Sequence, residues 1–125
     1  MIDISAVTVL IVEDDEDIRE ALAQILEDEG YRIVTAPNGK VGMEQLRDHL
    51  PRLILLDLMM PVMNGWQFRQ HQLADAALAG IPVVVVSADG SASREAVRMG
   101  AADFVQKPVD LEALLRIVAS HCRPA

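Results

Sequence analysis

The sequence predicts an α/β domain, a parallel sheet with helices on both faces, and three observations carry that expectation. Five short strand-like stretches alternate without a gap with five helical ones along 125 residues, and such alternation implies right-handed crossovers between parallel strands. Two of the strand-like stretches, Leu53 to Leu56 and Val83 to Val86, are apolar at every position, as a strand must be when helices cover both of its faces. The length suits one ordinary core and is too short for two, so a single domain over residues 1–125 is expected, with no room for a separate output domain.

Val7 to Val12 is β-branched and mostly apolar, hence a strand, and it runs into the acidic stretch Glu13 to Asp17. Ile18, Leu22, Ile25 and Leu26 then recur at helical spacing. Asp15, Glu16 and Asp17 are helix-start charges, and Gly30 fits the helix end. Tyr31 to Thr35 reads as a second strand and Pro37-Asn38-Gly39 as a turn, while Val41, Leu46 and Leu50 mark a second helix stopped by Pro51. The third strand, Leu53 to Leu56, leads into Asp57, after which Pro61 and Asn64-Gly65 bend the chain away. A third helix is expected over Trp66 to Leu78, its apolar pattern blurred by Arg69 and Gln72; Gly80 and Pro82 end it. The valine strand closes in Ser87-Ala88-Asp89-Gly90. Ser91 or Ser93 can cap a fourth helix carrying Ala96 and Val97, closed by Gly100. Asp103 to Gln106 forms a fifth strand ended by Lys107-Pro108, and Asp110 caps a last helix whose buried stripe is Leu111, Leu114, Leu115 and Val118.

Composition excludes several function classes. A net charge of −8 with no cluster of Lys or Arg gives no electrostatic support for direct binding to nucleic acid or to an anionic membrane. The single cysteine, Cys122, cannot form an internal disulfide, and Met1 to Ser5 lacks the basic and apolar regions of a signal peptide, so a reducing cytoplasm is the expected compartment. No apolar run approaches the roughly 20 residues that cross a bilayer. His49, His71 and His121 have no mutual spacing that suggests a metal site, and Trp66 is a better candidate for core packing than for a partner patch.

The polar residues that remain fall at the carboxyl ends of the strands, the edge where open parallel sheets collect ligands. Glu13 and Asp14 follow the first strand, Asp57 the third, Ser87 the fourth and Lys107 the fifth. Taken singly, each has a bland reading: Asp57 as a loop cap, Glu13 and Asp14 as charges at a helix start, Ser87 as a turn residue and Lys107 as a solvated cation. Taken together, they complement one another. Converging carboxylates repel unless a proton or a cation intervenes, and a hard oxygen site at a cleft favours Mg²⁺. An Asp in such a site can attack a phosphoryl group, with a lysine pairing the phosphoryl oxygens and a hydroxyl or amide donating to them.

The motifs V-E-D-D at Val12 to Asp15, L-L-D-L-M-M-P at Leu55 to Pro61, V-V-S-A at Val85 to Ala88 and Q-K-P at Gln106 to Pro108 occur in order along essentially the whole chain. In this the chain resembles the CheY-like receiver domains of bacterial two-component response regulators. The resemblance implies a flavodoxin-like fold with strand order 2-1-3-4-5. It makes Asp57 the acceptor of a phosphoryl group from a sensor histidine kinase or a phosphotransfer protein. Mg²⁺ would be held by Asp14, by Asp57, by Glu13 through water and by the backbone carbonyl of Met59. Lys107 would bind the phosphoryl group, next to a cis bond to Pro108. Ser87 would be the switch hydroxyl, in a loop with Ala88 and Asp89, and Phe104 the aromatic residue that turns inward on activation. An output protein, unidentified, would read the surface of the fourth helix, fifth strand and fifth helix. Such a switch modifies itself and turns over no external substrate. It is either a stand-alone regulator or a receiver from a longer chain.

Three departures from the commonest pattern stand out. Phe104 lacks the hydroxyl often found there, so a switch at this position works through ring burial alone. Met59, two residues beyond Asp57, has no polar group to position an attacking water; Asp89, two beyond Ser87, is the remaining candidate. Met59 also argues against a Mg²⁺-dependent hydrolase resembling haloacid dehalogenases, which needs a proton donor at that place. A nucleotide- or flavin-binding module would need a phosphate loop rich in Gly, Ser or Thr where this chain has Glu13 to Asp17. An interaction domain that is never phosphorylated leaves the assembled constellation without a use.

Overall fold

A computed structural model describes residues 7–88 and 90–122. Its elements run β1 (Thr8–Val12), α1 (Glu16–Asp28), β2 (Arg32–Ala36), α2 (Gly39–His49), β3 (Leu53–Leu56), α3 (Gly65–Leu73), β4 (Val83–Ser87), α4 (Ala92–Arg98), β5 (Asp103–Gln106) and α5 (Leu111–His121). The strands form one parallel sheet in the order β2-β1-β3-β4-β5, the flavodoxin-like order expected. Met1 to Ser5 and Asp89 lie outside the described residues.

Alternation along the strands divides the core between the two faces of the sheet. On one side Val9, Ile11, Leu53, Leu55, Val84 and Val86 pack against Leu22 and Leu26 of α1 and Leu114 and Val118 of α5. On the other, Leu10, Val12, Ile54, Leu56 and Val83 meet Met43 and Leu46 of α2 and Phe68 of α3. Val85 and Leu58 meet Ala92 and Ala96 of α4 on that same side. The central strands β3 and β4 are buried throughout, which is why they read as unbroken apolar runs.

Helix ends follow local chemistry. Asp15 accepts from the Ile18 amide and Asp110 from the Ala113 amide, each as an N-cap. Asn64 and Gln67 form a reciprocal capping box that starts α3. Ser91 occupies the N-cap position of α4, without a side-chain capping bond.

Several expectations are corrected. β2 begins at Arg32 and reaches Ala36, shifted by one residue from Tyr31 to Thr35. α3 stops at Leu73, not Leu78, because Gln72 turns its side-chain amide to the carbonyls of Leu78 and Ile81 and Asp75 accepts from the Ala77 amide, fixing a turn there. Leu50 leaves the stripe of α2. It precedes Pro51, which disfavours continued helix, and it caps α2 with a left-handed backbone and an exposed side chain. At the start of α5 Leu111 is exposed, and only Leu114 and Val118 of the predicted stripe are fully buried. Trp66 is half-buried against the Leu58 cluster and donates its indole N–H to Glu95, so it serves packing and a polar tie together. Among the described residues no helix is long and apolar enough to cross a membrane.

Candidate functional site

Parallel register brings the strand ends level. Val12 pairs with Leu56 and Leu56 with Val85, so Glu13 and Asp57 emerge one residue beyond the same rung. The sheet ladder continues through the site itself. The Glu13 amide donates to Ala36 O at 3.0 Å, the Asp57 amide to Val12 O at 3.0 Å and the Lys107 amide to Ser87 O at 2.9 Å. Each side chain therefore springs from backbone held as firmly as a strand. Behind Asp57, α3 begins at Gly65, where an added Cβ would lie 2.5 Å from Asp57 O, so only glycine permits this approach. Between them Val62 holds a left-handed backbone, φ 69°, spanned by a bond from Met63 N to Pro61 O. That is a strained conformation for a β-branched residue, a few positions from the site.

The carboxylates of Glu13, Asp14 and Asp57 converge, with one oxygen of each within 4.8 Å of the others. Glu13 and Asp57 are buried and Asp14 is exposed. Lys107 Nζ lies 2.5 Å from Glu13 Oε1 and 3.7 Å from Asp57 Oδ2, so the lysine sits closer to Glu13 than to the predicted phosphoacceptor. Despite that ion pair, Glu13 Oε1 is buried without an aligned hydrogen-bond donor, alone in this among the buried side-chain polar atoms of the described residues. Burial, a hydrogen bond with Asp57 and the charge of Asp57 push the Glu13 carboxyl up to about 7, against the opposing pull of Lys107. An all-oxygen donor set with an under-satisfied buried oxygen fits a hard divalent cation such as Mg²⁺.

The remaining predicted residues surround this centre. The Met59 amide donates to Asp57 Oδ1 at 3.4 Å, and its side chain is exposed. Ser87 is buried at the end of β4, and exposed Ala88 accepts from the Gln106 side chain at 3.2 Å. The Lys107–Pro108 bond is cis. Phe104 lies on the edge strand β5, opposite Val85 and 39% exposed, outside the carboxylate cluster. Beside Lys107 and Pro108 an apolar cleft of about 280 Å³ opens between α1 and α5, lined by Ile18, Ala21, Leu22, Ile25, Val109 and Leu111.

Two features escape the sequence pattern. Arg19 on α1 donates from Nη1 to Glu13 O at 2.9 Å and to Asp14 O at 3.4 Å. Its partners are backbone atoms, which leave no mark in a sequence beyond one arginine following five acids. Arg69 and Gln72, which blur the pattern of α3, are both buried: Arg69 donates to Met99 O, Gly100 O and Gln72 Oε1.

The sequence profile of the response regulator receiver domain matches residues 9–119. PilH of Pseudomonas aeruginosa is 34% identical over 112 residues, covering 88% of this chain and 93% of its own length. The phosphate regulon transcriptional regulatory protein PhoB of Escherichia coli is 35% identical over 118 residues, covering 92% of this chain and 51% of PhoB. Among solved structures the Vibrio cholerae chemotaxis protein CheY4 superposes with a TM-score of 0.84 at 26% identity, over 92% of this chain and 98% of that one.

Proposed function

The chain belongs to the response regulator receiver domain family, and from that premise we propose that it is a signalling switch thrown by phosphorylation of Asp57. The observation that carries this reading is the buried carboxylate of Asp57 at the end of β3, flanked by Glu13, Asp14 and the ammonium of Lys107. We read the 125 residues as one receiver domain.

An Asp57 oxygen attacks the phosphorus of a phosphohistidine on a sensor histidine kinase or phosphotransfer protein. The new O–P bond forms as the P–N bond breaks, and the imidazole leaves with the electron pair and takes a proton. Glu13, Asp14, Asp57 and the Met59 carbonyl would hold Mg²⁺, which when bound offsets charge on the transferring oxygens. The apolar cleft beside Lys107 suits a helix of the donor protein, packed so that its histidine reaches Asp57. The Met59 amide, already directed at Asp57, is placed to donate to the incoming group.

Phosphorylation adds a charge of about −1.5 to −2 and three acceptor oxygens. Lys107 exchanges its pairing with Glu13 for the phosphoryl oxygens, and Ser87 donates to one of them. The chain after Ser87 follows, and Phe104 rotates from its exposed position into the space released. The surface of α4, β5 and α5 thereby changes shape, and an output protein of unidentified name reads it. The switch turns over no external substrate, binds no nucleic acid directly and works in a reducing cytoplasm, where the buried thiol of Cys122 stays free.

The test is incubation with Mg²⁺ and acetyl phosphate followed by intact-mass measurement. A phosphoryl increment is expected in the wild type and not in Asp57→Asn. A wild type that never gains it, or a variant that does, sinks the proposal.

A further inference from the structure

The acidic turn between β1 and α1 is held from outside by one cation. Glu13, Asp14 and Asp15 are the only residues between the last rung of β1 and the first turn of α1. Within the turn, the Asp15 amide donates to Glu13 Oε2 at 3.3 Å, and the Asp15 side chain is engaged in capping the Ile18 amide. Arg19 Nη1 bridges the carbonyls of Glu13 and Asp14, at 2.9 and 3.4 Å. Arg19 is itself fixed by the first turn of α1, its amide donating to Asp15 O at 2.9 Å. One guanidinium thus ties together the backbones of two residues whose side chains supply two of the three converging carboxylates.

Electrostatics alone assigns Arg19 the opposite effect. A positive charge next to a cation site repels the cation, so a purely coulombic account has removal of Arg19 tightening divalent binding. Geometry argues the reverse. Without the guanidinium the two carbonyls turn to water and the Glu13–Asp15 backbone gains freedom. Both carboxylates must then be ordered as the ion binds, against mutual repulsion. Exposed charge effects are screened to a few-fold, whereas loss of a group that orients metal ligands typically costs about 10- to 100-fold in affinity.

We propose that Arg19 is a positioning residue for the cation site, fixing the Glu13–Asp14 backbone so that both carboxylates face the ion in spite of its own charge. The inference rests on the reading of Glu13, Asp14 and Asp57 as that site.

The experiment is Mg²⁺ titration of unphosphorylated wild type, Arg19→Ala and Arg19→Lys by calorimetry, with thermal midpoints and amide spectra of each protein recorded without metal. Arg19→Ala is expected to bind at least about tenfold more weakly. Arg19→Lys, whose ammonium keeps the charge and can still reach one carbonyl, falls between the two. Amide resonances of Asp14 and Asp15 move in metal-free Arg19→Ala while those of Arg69 and Gln72 stay in place. Equal or tighter Mg²⁺ binding by Arg19→Ala overturns the proposal, as does a lowered thermal midpoint with unchanged affinity, the result of a merely structural role. Should Arg19→Ala not fold, wild-type affinity in Arg19→Lys overturns it equally. A wild type that binds no Mg²⁺ instead removes the site reading beneath it, an outcome distinct from all of these.

Discussion

Two buried polar clusters lie among the described residues, and they are finished to different degrees. At the carboxyl edge of the sheet Glu13, Asp57 and Lys107 leave Glu13 Oε1 without an aligned donor although a cation lies 2.5 Å away. Between α3 and α4, Arg69 and Gln72 form a closed circuit. Arg69 Nε, Nη1 and Nη2 donate to Met99 O, Gln72 Oε1 and Gly100 O, and Gln72 Nε2 donates to Leu78 O and Ile81 O. Burial disfavours the charged form in each: it lowers the Arg69 guanidinium and raises the Glu13 carboxyl. Only at Glu13 does a carboxylate neighbour add to that cost, whereas Arg69 sits at the carbonyl end of α4, where positive charge is favourable. A completed network marks a structural tie, and an incomplete one marks a place where something else must arrive.

The sharpest way to break this contrast is to cut the finished network. Arg69→Met keeps most of the volume but leaves Gln72 Oε1, Met99 O and Gly100 O without their donor. Bonds to charged groups and orphaned buried acceptors put the loss at about 3 kcal/mol by urea unfolding. Mg²⁺ affinity should be unaltered, since no ligand is touched. A loss below about 1 kcal/mol would mean that water replaces the guanidinium and that the network is not structural.

The same operation on the unfinished cluster should act in the opposite direction. Glu13→Gln removes a buried charge that repels Asp57, so the metal-free protein at pH 8 gains about 1–2 kcal/mol. Its Mg²⁺ affinity falls about tenfold, as stability is exchanged for function. Destabilisation by Glu13→Gln without metal would show that the Lys107 ion pair outweighs burial and repulsion.

The contrast also explains what a reader of the sequence can see. Leu53 to Leu56 and Val83 to Val86 announce central strands because burial on both faces demands apolar residues at every position. Asp57 and Ser87 are conspicuous because each ends such a run, and Lys107 because it closes the edge strand β5. α3 is harder: polar residues are read as exposed, yet Arg69 and Gln72 are interior, and Met99 and Gly100 lie thirty residues away in sequence. Leu50, Val97 and Leu111 fail the other way, as apolar residues left exposed, Leu50 at the cap of α2 and the other two on helices whose buried faces are narrow. The contacts of Arg19 are illegible in the sequence because carbonyl partners carry no sequence signature.

The smallest expected effect is a pH slope, and it tests the cause of the Glu13 result rather than its size. The folded-state value for Glu13, about 7, stands above the ordinary 4.5 of an unfolded chain. Between those values the folded protein holds a proton that the unfolded chain has released. The stabilisation is therefore complete below about pH 4.5 and is lost as pH rises through about 7. Glu13→Gln lacks this proton while sharing every other titrating group. The stability gap between the two metal-free proteins should accordingly be near zero at pH 4.5, widen as pH rises and flatten above pH 7. Denaturant midpoints across that range measure it. Saturating Mg²⁺ should abolish the dependence, because the ionised carboxylate then has a partner in the folded state and the proton has no advantage there. A gap that is constant with pH would mean that Lys107, 2.5 Å away, keeps Glu13 ionised throughout. The edge cluster would then be as finished as the one between α3 and α4.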